Sequence, residues 1–436
     1  MYEKITDLTS GGVRFHEIKT DKFKMSRLSF NFIMPADRER SPITRLMLAT
    51  MMRGCRKYPS VISINKKLDE IYGATVAWRV VSVGDKHIFK ISCEMLGNRF
   101  RFSGDDESIV DRVCAVVLDI LFDPLLDEKG LLPETNFESE KKLAIDAILA
   151  KINDQKAYAS EKCKKLLYGD SPLGISTEGD EEQIRNVTLD DVSANLKYFL
   201  KNSTVECYYY GNDDVNEVKN MINNAFADVG REKSKTLGEE YCFVPKNEEI
   251  CRYTESMDVS QSRLNIGAVC KTVMSDVDYY AICVFNEIFG GSSQSKLFMN
   301  VREKNSLCYY CYSSYHSASG VIMIGCGIKA ENCEKTYNEI LFQLEEMQKG
   351  NISDAEIDNS KKMIISGLKQ MTDNPAAMEA FNFRRVLAGI NELPEQSIEK
   401  VLSVTKDDIV KAANKLKIST VYFLEGKGDS EDCDYE

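Results

Sequence analysis

Hydrophobic positions along this chain follow two rhythms, one of period two and one of period three to four, and stretches of each alternate from end to end. Residues 27–34 (RLSFNFIM) alternate toward a strand that stops at Pro35. Residues 43–52 (ITRLMLATMM) are apolar enough for a buried helix. A second helix starts after Lys57-Tyr58-Pro59-Ser60, runs through Tyr72 and ends at Gly73. Strands are predicted at 75–81 and 87–94, then helices at 106–122, 136–152 and 158–167. Further on, strands at 262–270, 307–315 and 321–328 are interleaved with helices at 277–289, 333–349, 354–371 and 376–388. Strand pairs with short connections, mixed with long helices, predict an α+β fold built on antiparallel sheets.

The pattern repeats. Thr188-Leu-Asp-Asp-Val leads through a helix to Ser203-Thr-Val-Glu-Cys-Tyr-Tyr-Tyr-Gly211, and Thr405-Lys-Asp-Asp-Ile leads likewise to Ser419-Thr-Val-Tyr-Phe-Leu-Glu-Gly426. Thr188 and Thr405 are 217 residues apart, and Ser203 and Ser419 are 216 apart, about half of the 436-residue chain. Each copy reads as a Thr-capped helix with acids in its first turn, followed by a strand ended by Gly. Two homologous halves are therefore expected, at 1–229 and 251–428. Between them lies a linker at 230–250, centred on the charged run 230–246, and an acidic tail follows at 429–436.

Composition narrows the function classes. Hydrophobic content of 43% with 28% charged residues fits a soluble globular protein. A net charge of −12 argues against nucleic acid or an anionic membrane as partner. No apolar run reaches spanning length, and the N-terminal sequence lacks a secretory pattern. Fourteen Cys without a disulfide framework suit a reducing cytoplasm. Cys308 and Cys311 are the one tempting pair, but on a regular strand residues three apart face opposite sides, which predicts packing. The three His (His16, His87, His316) have no metal-ligand spacing, and His16 is expected to be exposed on a strand. Met47, Met51 and Met52 read as core.

The richest stretch runs from Asn286 to Tyr315. A helix at 277–289 meets Gly290-Gly291, expected as its C-cap; then comes a short helix, KLFMNVREK, and then the strand at 307–315. On that strand Leu307, Tyr309, Cys311 and Ser313 should point one way and Cys308, Tyr310 and Tyr312 the other. Arg302 and Tyr309 could converge, and a fixed cation beside a phenol suits a peptide carbonyl or a developing oxyanion. On spacing alone, a surface Arg and an unrelated sheet Tyr remain the plain alternative.

The whole run closely resembles a signature of the pitrilysin/insulinase family of zinc peptidases. It comprises a Gly-Gly break, Ser295-Lys296-Leu297-Phe298, Arg302-Glu303-Lys304 and Leu307-Cys308-Tyr309. The resemblance implies that Arg302 and Tyr309 bind substrate. It also locates what is missing. The family's inverted H-x-x-E-H motif falls on Arg45-Leu46-Met47-Leu48-Ala49, so both metal His and the catalytic Glu are replaced, by Arg45, Ala49 and Leu48. In the helix at 136–152 Glu140 keeps the first Glu of the family's E-x6-E pair, while Ala147 stands at its ligand position. Neighbouring Asp146, without His partners, reads as solvated. No metal is expected in this chain.

The length matches the family's short, two-domain members, some of which pair a zinc-bearing subunit with one that carries the Arg/Tyr pair. The resemblance thus implies a zinc-less, non-catalytic subunit of a heterodimeric metallopeptidase. It would position peptide substrate for a zinc-bearing homologous partner, with the peptide added as a strand to a sheet edge. A peptide-binding, chaperone-like homodimer and a structural subunit without peptidase work remain the alternatives.

Overall fold

The structure, a computed structural model, describes residues 3–9, 11–231, 241–246 and 249–427. The expected tail at 429–436 lies outside the described residues, as does much of the expected linker. Eleven strands are described: β1 (Glu3–Leu8), β2 (Val13–Lys19), β3 (Met25–Pro35), β4 (Thr75–Val83), β5 (Lys86–Leu96), β6 (Thr204–Gly211), β7 (Cys251–Met257), β8 (Ser262–Val269), β9 (Cys308–His316), β10 (Val321–Ile328) and β11 (Lys417–Gly426). They form two sheets, ordered β1-β2-β6-β3-β5-β4 and β7-β11-β8-β10-β9.

The internal repeat is a repeat of topology. In the first sheet β6 lies parallel to β2 and antiparallel to β3, and β3, β5 and β4 follow in antiparallel order. In the second, β11 lies parallel to β7 and antiparallel to β8, and β8, β10 and β9 follow likewise. Each sheet thus departs from a purely antiparallel one by a single parallel pair. The cause is connectivity: the last strand of each half returns after a long helical excursion, which a hairpin cannot provide. Thr188 and Thr405 each cap the helix before that strand with a reciprocal capping box, Asp191 and Asp408 answering from the third position.

The chain divides into two compact units that are not contiguous in sequence. One comprises 1–149 and 175–237, the other 150–174 and 238–436. A single cut near 230–250 therefore does not separate them. The helix Gln155–Tyr168 follows the first half's elements in sequence, yet packs on β8 and β11.

In the unit built on the second sheet, each face is buried. Ile266, Ile322 and Ile324 join one cluster with the helices Tyr279–Asn286, Cys333–Gln348 and Lys406–Lys415. On the opposite face Val269, Val321 and Met323 pack with Cys163 and Leu167 of Gln155–Tyr168. The first sheet has its own core, centred on Phe30, Phe32 and Phe89 with Phe199 and Phe226 from its helices.

Gly290-Gly291 is not a left-handed C-cap. The helix Tyr279–Asn286 continues through both glycines as a π-helical turn, Glu287–Gly291, and neither glycine has positive φ. What Gly290 provides is proximity. A Cβ there would lie 2.6 Å from the Ser313 amide nitrogen and 2.9 Å from Leu297 Cδ1, so only glycine lets this turn rest on β9.

Candidate functional site

Among the described residues β9 is an edge strand, paired with β10 alone. Its register with β10 is regular from Val321↔His316 to Gly327↔Tyr310, and then shifts so that Ile328 faces Cys308. Tyr309 is the extra residue, a β-bulge, and its side chain stands out, 55% exposed. Bulges re-aim side chains and end pairing at sheet edges. Here the bulge presents a phenol beyond the last regular ladder pair.

The bulge also overturns the expectation that Cys308 and Cys311 face apart. Cys308 lies opposite Ile328 and Cys311 opposite Cys326, and residues 326 and 328 share a face of β10. Cys311 Sγ lies 3.0 Å from Cys326 Sγ. Hydrogen bonding with Cys311 and burial push the Cys308 thiol up, while the positive charge of Arg302 acts to lower it. Arg302 is thus near enough to the start of β9 for its charge to act on Cys308, the residue preceding Tyr309. The two candidate residues are at the same end of the strand, and no hydrogen bond joins them. Arg302 is on the π-helical segment Leu297–Lys304, half-exposed, stacked over Phe298 at 4.7 Å and 3.5 Å from Glu303.

The other face of β9 is held by aromatic rings. Tyr310 and Tyr312 stand opposite Gly327 and Gly325 and lie across them: a Cβ at Gly327 would meet Tyr310 Cε1 at 2.5 Å, and one at Gly325 would meet Tyr312 Cζ at 3.0 Å. This covering of glycines by cross-strand rings pins the edge strand to the sheet. Lys156, from the first turn of Gln155–Tyr168, holds its ammonium 4.6 Å from the Tyr310 ring centre and 4.8 Å from that of Tyr312. Lys156 was not legible as a site residue. It lies about 150 residues away in sequence, in a polar helix start with no motif.

The degenerate motif positions lie elsewhere, on the helix Arg40–Met51. Leu48 is fully buried in the first unit's core and Ala49 is nearly so, while Arg45 reaches Glu178 at 3.5 Å. Glu140, on the helix Glu134–Ala150, is taken by Arg53 at 2.5 Å; Ala147 and Asp146 on that helix are exposed. Two alkyl side chains at 48 and 49 and a third at 147 offer a metal no donor atom, and a guanidinium at 45 repels one. Among the described residues no group of three or more His, Cys, Asp or Glu is arranged to hold a metal.

The histidines are accounted for without chemistry. His16 is buried, not exposed: Nε2 donates to Glu206 Oε2 at 2.6 Å, Nδ1 is hydrogen-bonded with Thr6 at 2.9 Å, and the ring stacks on Tyr208 at 4.3 Å. Its strand lies inside the sheet between β1 and β6, which the local alternation around His16 did not reveal. His87 is fully buried between the Ser41 hydroxyl and the Ile175 carbonyl, and burial lowers its pKa. Burial, with the charges of Lys164 and Arg384, takes His316 down to about 4. No described helix is long and apolar enough to cross a membrane.

Comparison with known proteins agrees with this geometry. Residues 186–364 match the Peptidase M16 inactive domain. The chain is 27% identical over 417 residues to the probable inactive metalloprotease YmfF of Bacillus subtilis (strain 168), covering 95% of this chain and 96% of that protein. It is 23% identical over 320 residues to mitochondrial-processing peptidase subunit beta of Saccharomyces cerevisiae, covering 70% and 68%. Among solved structures, a conserved protein from Enterococcus faecalis V583 superposes with a TM-score of 0.89 at 26% identity, covering 98% of this chain and 99% of that one.

Proposed function

This chain is a homologue of the inactive M16 peptidases, and from that premise we propose that it is a zinc-less, non-catalytic subunit of a heterodimeric metallopeptidase. It binds an extended peptide along the free edge of β9 and presents it to a zinc-bearing homologous partner. The observation that carries this reading is the contrast between two sites in one chain. The positions that the resemblance aligns with the metal ligands, 45, 49 and 147, and with the general base, 48, carry Arg, Ala, Ala and Leu, whereas Arg302 and Tyr309 stand open near one end of an edge strand. The resemblance to a protein named as one subunit of a processing peptidase supports the division of labour. In this role the unpaired edge of β9 supplies main-chain hydrogen bonds, the guanidinium of Arg302 donates to a peptide carbonyl, and the bulged Tyr309 donates its phenol beside it.

The test is to purify the tagged chain from its native host and measure what accompanies it. A second chain of similar length, bringing zinc and chelator-sensitive cleavage of an unstructured peptide, is the expected result. A metal-free, inactive homodimer that still binds peptide would instead establish the chaperone-like alternative, and an inactive assembly that binds none would establish a structural subunit.

A further inference from the structure

The face of β9 that carries Tyr310 and Tyr312 is rich in hydrogen-bond donors and poor in acceptors. Lys156 lies over both rings, and no carboxylate pairs with it among the described residues. Arg263, on β8, holds its guanidinium 5.8 Å from the Tyr310 ring centre. Its buried Nε finds no acceptor among the described residues. Both phenols remain protonated donors, since burial raises Tyr310 to about 12 and raises Tyr312 as well. Two acceptors nearby are already engaged: Asp154 caps its own helix through the Ala157 amide at 3.0 Å, and Gln261 takes Arg263 Nη1. The rings of Tyr310 and Tyr312 stack 6.0 Å apart across the β10 glycines, so the Lys156 ammonium over both is the charged donor at this stretch of β9.

A carboxylate, which only accepts, complements the ammonium of Lys156. We propose that Lys156 selects peptides that carry an acidic side chain on the Tyr310/Tyr312 face where the bound strand runs beside these two residues. The inference rests on reading β9 as the peptide-binding edge and names the substrate class of that edge. It has a periodic signature. In a strand added to β9 only alternate side chains project toward the Tyr310/Tyr312 face, so the acidic preference must appear at every second position. Overall charge works against it, because a chain of net charge −12 repels acidic peptides at long range. A local preference for Glu therefore reports on these residues.

The experiment uses the full chain and Ser/Thr/Val peptides of about ten residues, each with one Glu or one Gln moved along its length, with affinities read by calorimetry. In the wild type, Glu should bind about threefold more tightly than Gln at alternate positions. In Lys156→Gln that ratio should fall to one, and Lys156→Arg should keep it. Lys156 is exposed, so its replacement leaves the fold intact. A ratio that survives Lys156→Gln, or that is equal at every position, overturns the acidic preference alone. No binding by any peptide overturns the reading of β9 as the peptide edge, and the preference with it.

Discussion

Leu48 and Tyr309 differ first in exposure: one is fully buried, the other 55% exposed. The resemblance aligns the buried Leu48 with the general base of the zinc peptidases. A carboxylate there has no partner, so Leu48→Glu should cost about 4 kcal/mol or more, seen as a fall in the urea midpoint. Tyr309 and Arg302 are open, so their replacement should leave stability within error. In the proposed heterodimer, Arg302→Ala and Tyr309→Phe should each lower peptide cleavage about tenfold, with co-purification of the proposed partner unchanged. Wild-type cleavage in both variants would remove them from the substrate site.

At the scale of elements, two contacts set the positions that matter. The π-helical turn Glu287–Gly291 rests on β9 only because Gly290 has no Cβ. Gly290→Ala should destabilise the chain by about 1–3 kcal/mol, and faster amide exchange in 308–313 than elsewhere would show that the strand itself is loosened. The second contact ties three helices through Glu392. Its Oε1 accepts from Ser397 at 2.6 Å, from Arg385 at 3.3 Å and from Tyr280, and its Oε2 accepts from Lys400. Burial alone would raise this carboxyl; the hydrogen bonds from Lys400, Ser397 and Tyr280 and the charge of Arg385 outweigh it and bring it from 4.5 to about 2. A depressed carboxyl contributes stability that is full above its unfolded value and is lost as pH falls through the folded one. The contribution is roughly 3 kcal/mol. The urea midpoint should therefore drop between about pH 4.5 and pH 2, and Glu392→Gln, already destabilised at neutral pH, should show a smaller drop across that window.

For the whole molecule, the division into units has a consequence for where the chain can be cut. The segment 150–174 belongs to the unit of the second sheet, where Leu167 lies against Gly267 of β8, and a Cβ on that glycine would meet it at 2.8 Å. Without this segment the face formed by Val269, Val321, Met323 and Leu424 loses its cover. A fragment spanning 241–427 should therefore fail to give a cooperative thermal transition by circular dichroism. Adding a peptide spanning 150–174 should restore one, and a cooperative transition of the bare fragment would contradict the packing described.

Much of this was written locally. The α+β character, the Thr-capped helix followed by a strand in each half, and the helix–Gly-Gly–helix–strand run around Arg302 were legible because periodicity, capping and turn chemistry act within a few residues. Residue identity alone also shows that Leu48, Ala49 and Ala147 carry no side-chain atom that can ligate a metal. What the sequence left open depends on neighbours far along the chain. Register made Tyr309 a bulge and turned Cys308 to the side of Cys311. Strand order buried His16 and put a parallel pair in each sheet. A helix 150 residues distant brought Lys156 over Tyr310 and Tyr312. Local pattern fixes which way a side chain alternates along its own strand; only tertiary packing decides what lies on the other side.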